Sequence, residues 1–135
     1  MVEVSAEIIY SHDRFLCFQK GQSKYHYLSN KWEFPGGKVE KGEDPQNTIA
    51  RELFEELKMD IEGRDVQLLY VTEHQYPDFH VVIHSFLISY DDPQFELTEH
   101  LSSKWCSLDN TWNLDWAEAD KGIITELERW FNGQR

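Results

Sequence analysis

Glu52, Glu55 and Glu56 fall in one narrow sector when the chain around them is wound at about 100° per residue, and Ile49, Ala50, Leu53, Phe54 and Leu57 take the neighbouring broad one. Like charges at these spacings repel by about a few tenths of a kcal/mol per pair, and a mid-helix position forgoes compensation by the helix dipole. Such a cluster is either a solvated acidic face, with Arg51 and Lys58 as ordinary ion-pair partners, or a holder of hard divalent cations. Mg²⁺ and Mn²⁺ suit the second case, because they take carboxylates together with substrate phosphate oxygens. Upstream, Trp32-Glu33-Phe34 leads into Pro35-Gly36-Gly37, whose glycines permit unusual backbone geometry and a close approach to a phosphate or a metal.

The elements that must position these groups are legible from pattern. Asp44-Pro45 is a helix start, with Asp as N-cap and Pro at the first helical position, and the helix should run to about Leu57. Val2 to Tyr10 and Arg14 to Lys20 predict a hairpin turned at Ser11-His12-Asp13, followed by a polar loop from Gly21 to Asn30. Val66 to Tyr76 and Phe79 to Tyr90 read as two further strands, and Lys104 to Leu108 as a shorter one. Ile123, Ile124, Leu127, Trp130 and Phe131 recur at helical spacing and predict an amphipathic terminal helix. Two helices and several strands, without a repeated strand-helix-strand alternation, imply an α/β (α+β) sandwich. A single domain over residues 1–135 is expected at this length.

Composition narrows the partners. A net charge of −12 argues against nonspecific binding to duplex nucleic acid or an anionic membrane, and a phosphorylated ligand would need locally supplied cations. The first residues lack a basic region and a long apolar run, which predicts no signal peptide or membrane span and a cytoplasmic location. Cys17 and Cys106 lie in apolar strand-like stretches and read as buried free thiols.

Residues 37 to 59 read Gly-x5-Glu-x7-Arg-Glu-Leu-x-Glu-Glu-x-Lys-Met. This resembles the Nudix box, Gly-x5-Glu-x7-Arg-Glu-U-x-Glu-Glu-x-Gly-U with U aliphatic; Gly37, Glu43, Arg51, Glu52, Leu53, Glu55, Glu56 and Met59 match. The resemblance implies a mixed β-sheet sandwiched between helices and a hydrolase that cleaves a nucleoside diphosphate linked to another group. It makes Glu52, Glu55 and Glu56 metal ligands, with the Gly36 carbonyl and Glu99 as further ones, and Mg²⁺ or Mn²⁺ the cofactor. Glu43 and Arg51 would orient the carboxylates, and Glu52 or Glu99 would act as general base. Lys58 stands where the family has Gly, so helix termination is expected to differ.

Asn30 to Glu40, Tyr76 to Phe79 and Leu114 to Asp120 are similar to the MutT-like branch and to bacterial CTP pyrophosphohydrolases. That likeness implies a nucleoside triphosphate substrate bound by Lys20, Glu33, Phe34, Phe79 and Asp120, with Phe34 favoured over Phe79 for stacking on the base. Ionised Asp120 only accepts hydrogen bonds, which suits the exocyclic amine of cytosine, whereas 8-oxoguanine would call for the protonated acid. Plainer roles are open to several of these residues: Asp120 as N-cap of the last helix, Lys20 as a strand-end lysine, Phe34 and Phe79 as core aromatics beside strands, and Glu99, among the metal candidates, as a loop acid. His80 and His84 read as exposed or partly buried imidazoles. Hydrolysis of ADP-ribose, NADH or a dinucleoside polyphosphate, and a noncatalytic module of the same fold, are the alternatives. The chain would act as a monomer or homodimer.

Overall fold

A fork between the first two strands organises the molecule. In the computed structural model, which describes residues 1–133, β1 (Val2–Ser11) and β2 (Arg14–Gln19) pair only through Tyr10 with Phe15 and Ser11 with Arg14. They then part, and the segment carrying β3 (Trp32–Glu33) and β4 (Gly36–Lys38) fills the gap. β4 pairs with the N-terminal half of β1, Ala6 opposite Gly36, while β3 pairs with the end of β2, Phe18 opposite Glu33. The Glu7 amide donates to the Pro35 carbonyl at 2.8 Å, closing the fork over the glycine turn.

On its other edge β1 runs parallel to β6 (His80–Ser89), which pairs antiparallel with the edge strand β5 (Val66–Gln75). β7 (Ser102–Ser107) lies along β2 and begins two residues before the expected start. The sheet is therefore mixed, with α1 (Pro45–Leu57) on one face and α2 (Glu118–Gly133) on the other. β2 and β6 bury both faces, which is why Phe15 to Phe18, Val81 to Ile83 and Phe86 to Ile88 run unbroken apolar, whereas β1 carries Ser5 and Glu7 into the interior. Ile8, Phe15 and Cys17 face Ile123, Ile124 and Leu127 of α2, and Ile9, Leu16 and Phe18 face Ile49, Leu53 and Leu57 of α1. Both cysteines are buried and free.

Asp44 caps α1 through its side chain, which accepts from the Gln46 and Asn47 amides, and Pro45 follows at the first turn. The packing stripe is narrower than the sequence pattern implied. Ile49, Leu53 and Leu57 are buried, but Ala50 is exposed and Phe54 is 58 % exposed. The Gly36 to Asp44 segment covers the flank of Thr48 and Glu52 instead, so the opposite flank stays in solvent. Helix termination also differs from expectation: Lys58 itself adopts the left-handed conformation (φ 55°), and the amides of Lys58 and Met59 return to the carbonyls of Phe54 and Leu53. The cap geometry that favours glycine is retained with a lysine in it.

Candidate active site

The glycine turn and α1 meet because neither glycine carries a side chain. A Cβ on Gly37 would stand 2.1 Å from Cδ of Glu52, and one on Gly36 would stand 1.9 Å from the Ser5 carbonyl oxygen. Neither glycine has a positive φ, so close approach and not backbone freedom accounts for both. The loop is pinned to the helix by Arg51, whose guanidinium donates to Glu43 at 3.0 and 3.2 Å, to Glu52 at 2.8 Å and to the Lys38 carbonyl at 3.3 Å. Glu43 also accepts from the Thr48 hydroxyl at 2.7 Å and from the Glu40 amide. These hydrogen bonds, Arg51 foremost and then Thr48, hold the Glu43 carboxyl down at about 2.

The three helix glutamates differ in surroundings. Glu55 is exposed and touches Arg51 at 3.5 Å. Glu52 is nearly enclosed, and burial raises its pKa against the pull of Arg51. Glu56, at the edge of the buried stripe, is pushed up to about 8, by burial first and then by Glu33, Glu52 and Glu99, while the Gly36 N–H opposes the shift. Glu99 arrives from another element. The Thr98 hydroxyl donates to the Glu56 carbonyl and the Glu96 amide to the Leu57 carbonyl at 2.8 Å, so the loop before β7 is docked on the C-terminal end of α1.

A buried glutamate that sequence pattern did not single out lies beneath this cluster. Glu7 is fully buried on β1, accepts from the Ser5 hydroxyl at 2.8 Å and has its pKa raised by burial. Among the described residues no Lys, Arg or His pairs with Glu7 or Glu56. An all-oxygen donor set with uncompensated buried carboxylates fits a hard divalent cation. No three acidic, His or Cys side chains among the described residues already converge into a closed cage, since Glu52 and Glu55 are turned toward Arg51.

A cavity of about 420 Å³ runs from Gly36, Gly37, Glu56 and Glu99 to Lys20, Glu33, Phe79 and Asp120. Asp120 lies in the first turn of α2 and its carboxylate does not cap that helix. Oδ2 accepts instead from the Phe34 amide at 3.0 Å, across the cavity floor. Burial, then Glu33, pushes Asp120 up to about 8, with the Phe34 N–H and Lys20 opposing. Phe34 is 4 % exposed and its ring packs against Phe15 and Trp116 at 6.0 and 5.0 Å. The ring is core, so the preference for Phe34 as the stacking group is reversed in favour of Phe79. Phe79 is half-buried and joins an aromatic wall with Tyr76 and with Tyr25 of the loop read as polar. Tyr27 of that loop stacks on Tyr76 and donates to Asp78 at 2.7 Å. The alternation of Tyr25 and Tyr27 was the available signal. His100, also missed, holds Glu33 at 3.0 Å. His80 and His84 are partly buried, as read, against Gln75 and Glu3.

Comparison with known proteins points one way. A family model described as NUDIX domain matches residues 2–127. The 8-oxo-dGTP diphosphatase of Escherichia coli is 32% identical over 103 residues, spanning 76% of this chain and 78% of that protein. The CTP pyrophosphohydrolase of the same organism is 35% identical over 129 residues, spanning 92% and 89%. Among solved structures, the E. coli ORF135 protein superimposes with a TM-score of 0.77 at 27% identity, covering 96% of this chain and 89% of that one.

Proposed function

The chain belongs to the Nudix family, and from that premise we propose that it hydrolyses a canonical or oxidised (deoxy)nucleoside triphosphate to the monophosphate and pyrophosphate, with Mg²⁺ or Mn²⁺. The observation that carries this reading is the continuity of the cavity, which is lined both by Gly36, Gly37, Glu56 and Glu99 and by Phe79 and Asp120. One ligand with an anionic end and a planar polar end fits such a space. The names of the E. coli relatives, one acting on 8-oxo-dGTP and one on CTP, make triphosphates the leading substrates over ADP-ribose, NADH or dinucleoside polyphosphates.

A bound divalent cation neutralises phosphate charge and activates water. The Gly36 carbonyl, Glu52, Glu56 and Glu99 would hold it, with Glu55 at the exposed margin. Arg51, held by Glu43, which in turn accepts from the Thr48 hydroxyl, aims the Glu52 carboxylate. Glu52 or Glu99 takes the proton of the attacking water. Lys20 meets phosphate, Glu33 is held toward the nucleoside by His100, and Phe79 stacks on the base. Asp120, neutral below about pH 8, offers the base a donor as well as an acceptor, which favours an oxidised guanine edge; ionised, it suits the cytosine amine. Incubation with a panel of nucleotides and Mg²⁺ tests the reading. Pyrophosphate release from CTP or 8-oxo-dGTP is expected, and release of orthophosphate alone would sink the proposed bond choice.

A further inference from the structure

Glu7 is an acidic side chain beneath the cavity that neither the loop-helix box nor the nucleotide pocket uses. It lies between Ser5 and Ile9 on the α1-facing side of β1 and is 0 % exposed. Its Oε1 is held by the Ser5 hydroxyl at 2.8 Å, while Oε2 has no hydrogen-bond partner. That free oxygen stands 2.8 Å from the point that a Cβ on Gly36 would occupy. It is therefore aimed at the backbone whose carbonyl is the loop's candidate metal donor, and the charges it feels are those of Glu56 and Glu52. A carboxylate buried without a cation is costly, and packing alone would be served as well by an apolar residue of similar volume. A donor set of buried oxygens with one atom unsatisfied is a set short of a cation.

We propose that Glu7 is an additional ligand of the divalent metal site, its Oε2 binding from the strand side the cation that Gly36, Glu52 and Glu56 hold from the loop and the helix. The inference rests on the metal-site reading above. The family box supplies its carboxylates from one helix and leaves the strand side to backbone; in this chain β1 adds a buried carboxyl group there. Its consequence is tighter metal binding before any nucleotide arrives.

The test is a nucleotide-free Mn²⁺ titration, following free Mn²⁺ by electron paramagnetic resonance, on the parent protein, Glu7→Gln and Glu56→Gln, with melting temperatures measured with and without metal. Glu7→Gln is expected to weaken Mn²⁺ binding about tenfold or more and to shrink the metal-dependent rise in melting temperature. Without metal it should melt no lower than the parent. Glu7→Ala is titrated in parallel, so that misfolding of one variant leaves the other to decide. Mn²⁺ affinity within twofold of the parent in Glu7 variants, while Glu56→Gln weakens it, would overturn the inference and leave the metal reading standing. A parent protein with no saturable Mn²⁺ binding would overturn both.

Discussion

Replacing Gly37 with Ala should damage chemistry while sparing the fold, and replacing Gly36 should damage the fold itself. The new Cβ at 37 would lie 2.1 Å from Cδ and 2.3 and 2.4 Å from the two oxygens of Glu52. To regain an ordinary contact of about 3.5 Å the carboxyl must retreat by roughly 1.4 Å. It can do so, because it is the end of a flexible side chain, and the cost in stability should stay below about 1 kcal/mol. A displacement of about 1 Å in a reacting constellation costs on the order of 100-fold in rate, so kcat should fall by about that factor. At 36 the obstacle is the Ser5 carbonyl, 1.9 Å away and part of the pairing between β1 and β4. Overpacking against backbone costs roughly 1 to 3 kcal/mol, which for a chain of this size lowers the melting temperature by roughly 4 to 12 °C. Pyrophosphate release and thermal melts on both variants decide the matter. Near-parent kcat in a folded Gly37→Ala protein would refute the claim that Glu52 must stand against the glycine turn.

Three further outcomes follow from the same geometry. Arg51→Lys keeps the charge but loses the planar fork that spans Glu43 and Glu52, so kcat should drop by about 10- to 100-fold with little change in melting temperature; unchanged kinetics would show that the bridge does not aim Glu52. Lys58→Gly relieves a non-glycine residue at φ 55°, gaining about 1 kcal/mol, and should raise the urea midpoint by roughly 0.5 M without altering turnover; a midpoint that stays or falls would contradict this. Asp120 carries its proton below about pH 8 and loses it above, so the ratio of kcat/KM for 8-oxo-dGTP over CTP should fall by about tenfold between pH 7 and pH 9. Asp120→Asn should flatten that profile, and a ratio that ignores pH in the parent would return Asp120 to a purely structural bond with the Phe34 amide.

Much of the layout was legible because local chemistry and tertiary packing agree in it. Asp44-Pro45 starts α1, β1, β2, β5, β6 and β7 fall within two residues of their sequence limits, and Ile123 to Phe131 form the face of α2 that packs on the sheet, while β3 and β4 form in the stretch read only as a glycine loop and its lead-in. The loop-helix spacing was legible as well, since Gly37, Glu43, Arg51 and Glu52 all meet as the pattern required. Phe34 was misread because a residue beside a glycine turn is aimed by its strand: β3 enters the fork and its side chain continues into the core, leaving only its amide to Asp120. Phe54 was misread because helical periodicity cannot say which flank a loop will cover. The surroundings of Glu7, His100 and Tyr25 depend on Gly36, Glu33 and Phe79, all far away in sequence, so spacing alone does not report what these side chains meet.

The most direct test of the proposed chemistry is a product assay on the parent and Glu56→Gln proteins, with Mg²⁺, CTP and 8-oxo-dGTP, resolving monophosphate, diphosphate, pyrophosphate and orthophosphate. The parent should yield monophosphate and pyrophosphate in equal amounts, with the yield abolished by removing metal and cut by about 100-fold or more in a folded Glu56→Gln protein. Diphosphate and orthophosphate as products would contradict cleavage between the α- and β-phosphates, and equal turnover by the two proteins would contradict a metal held by Glu56.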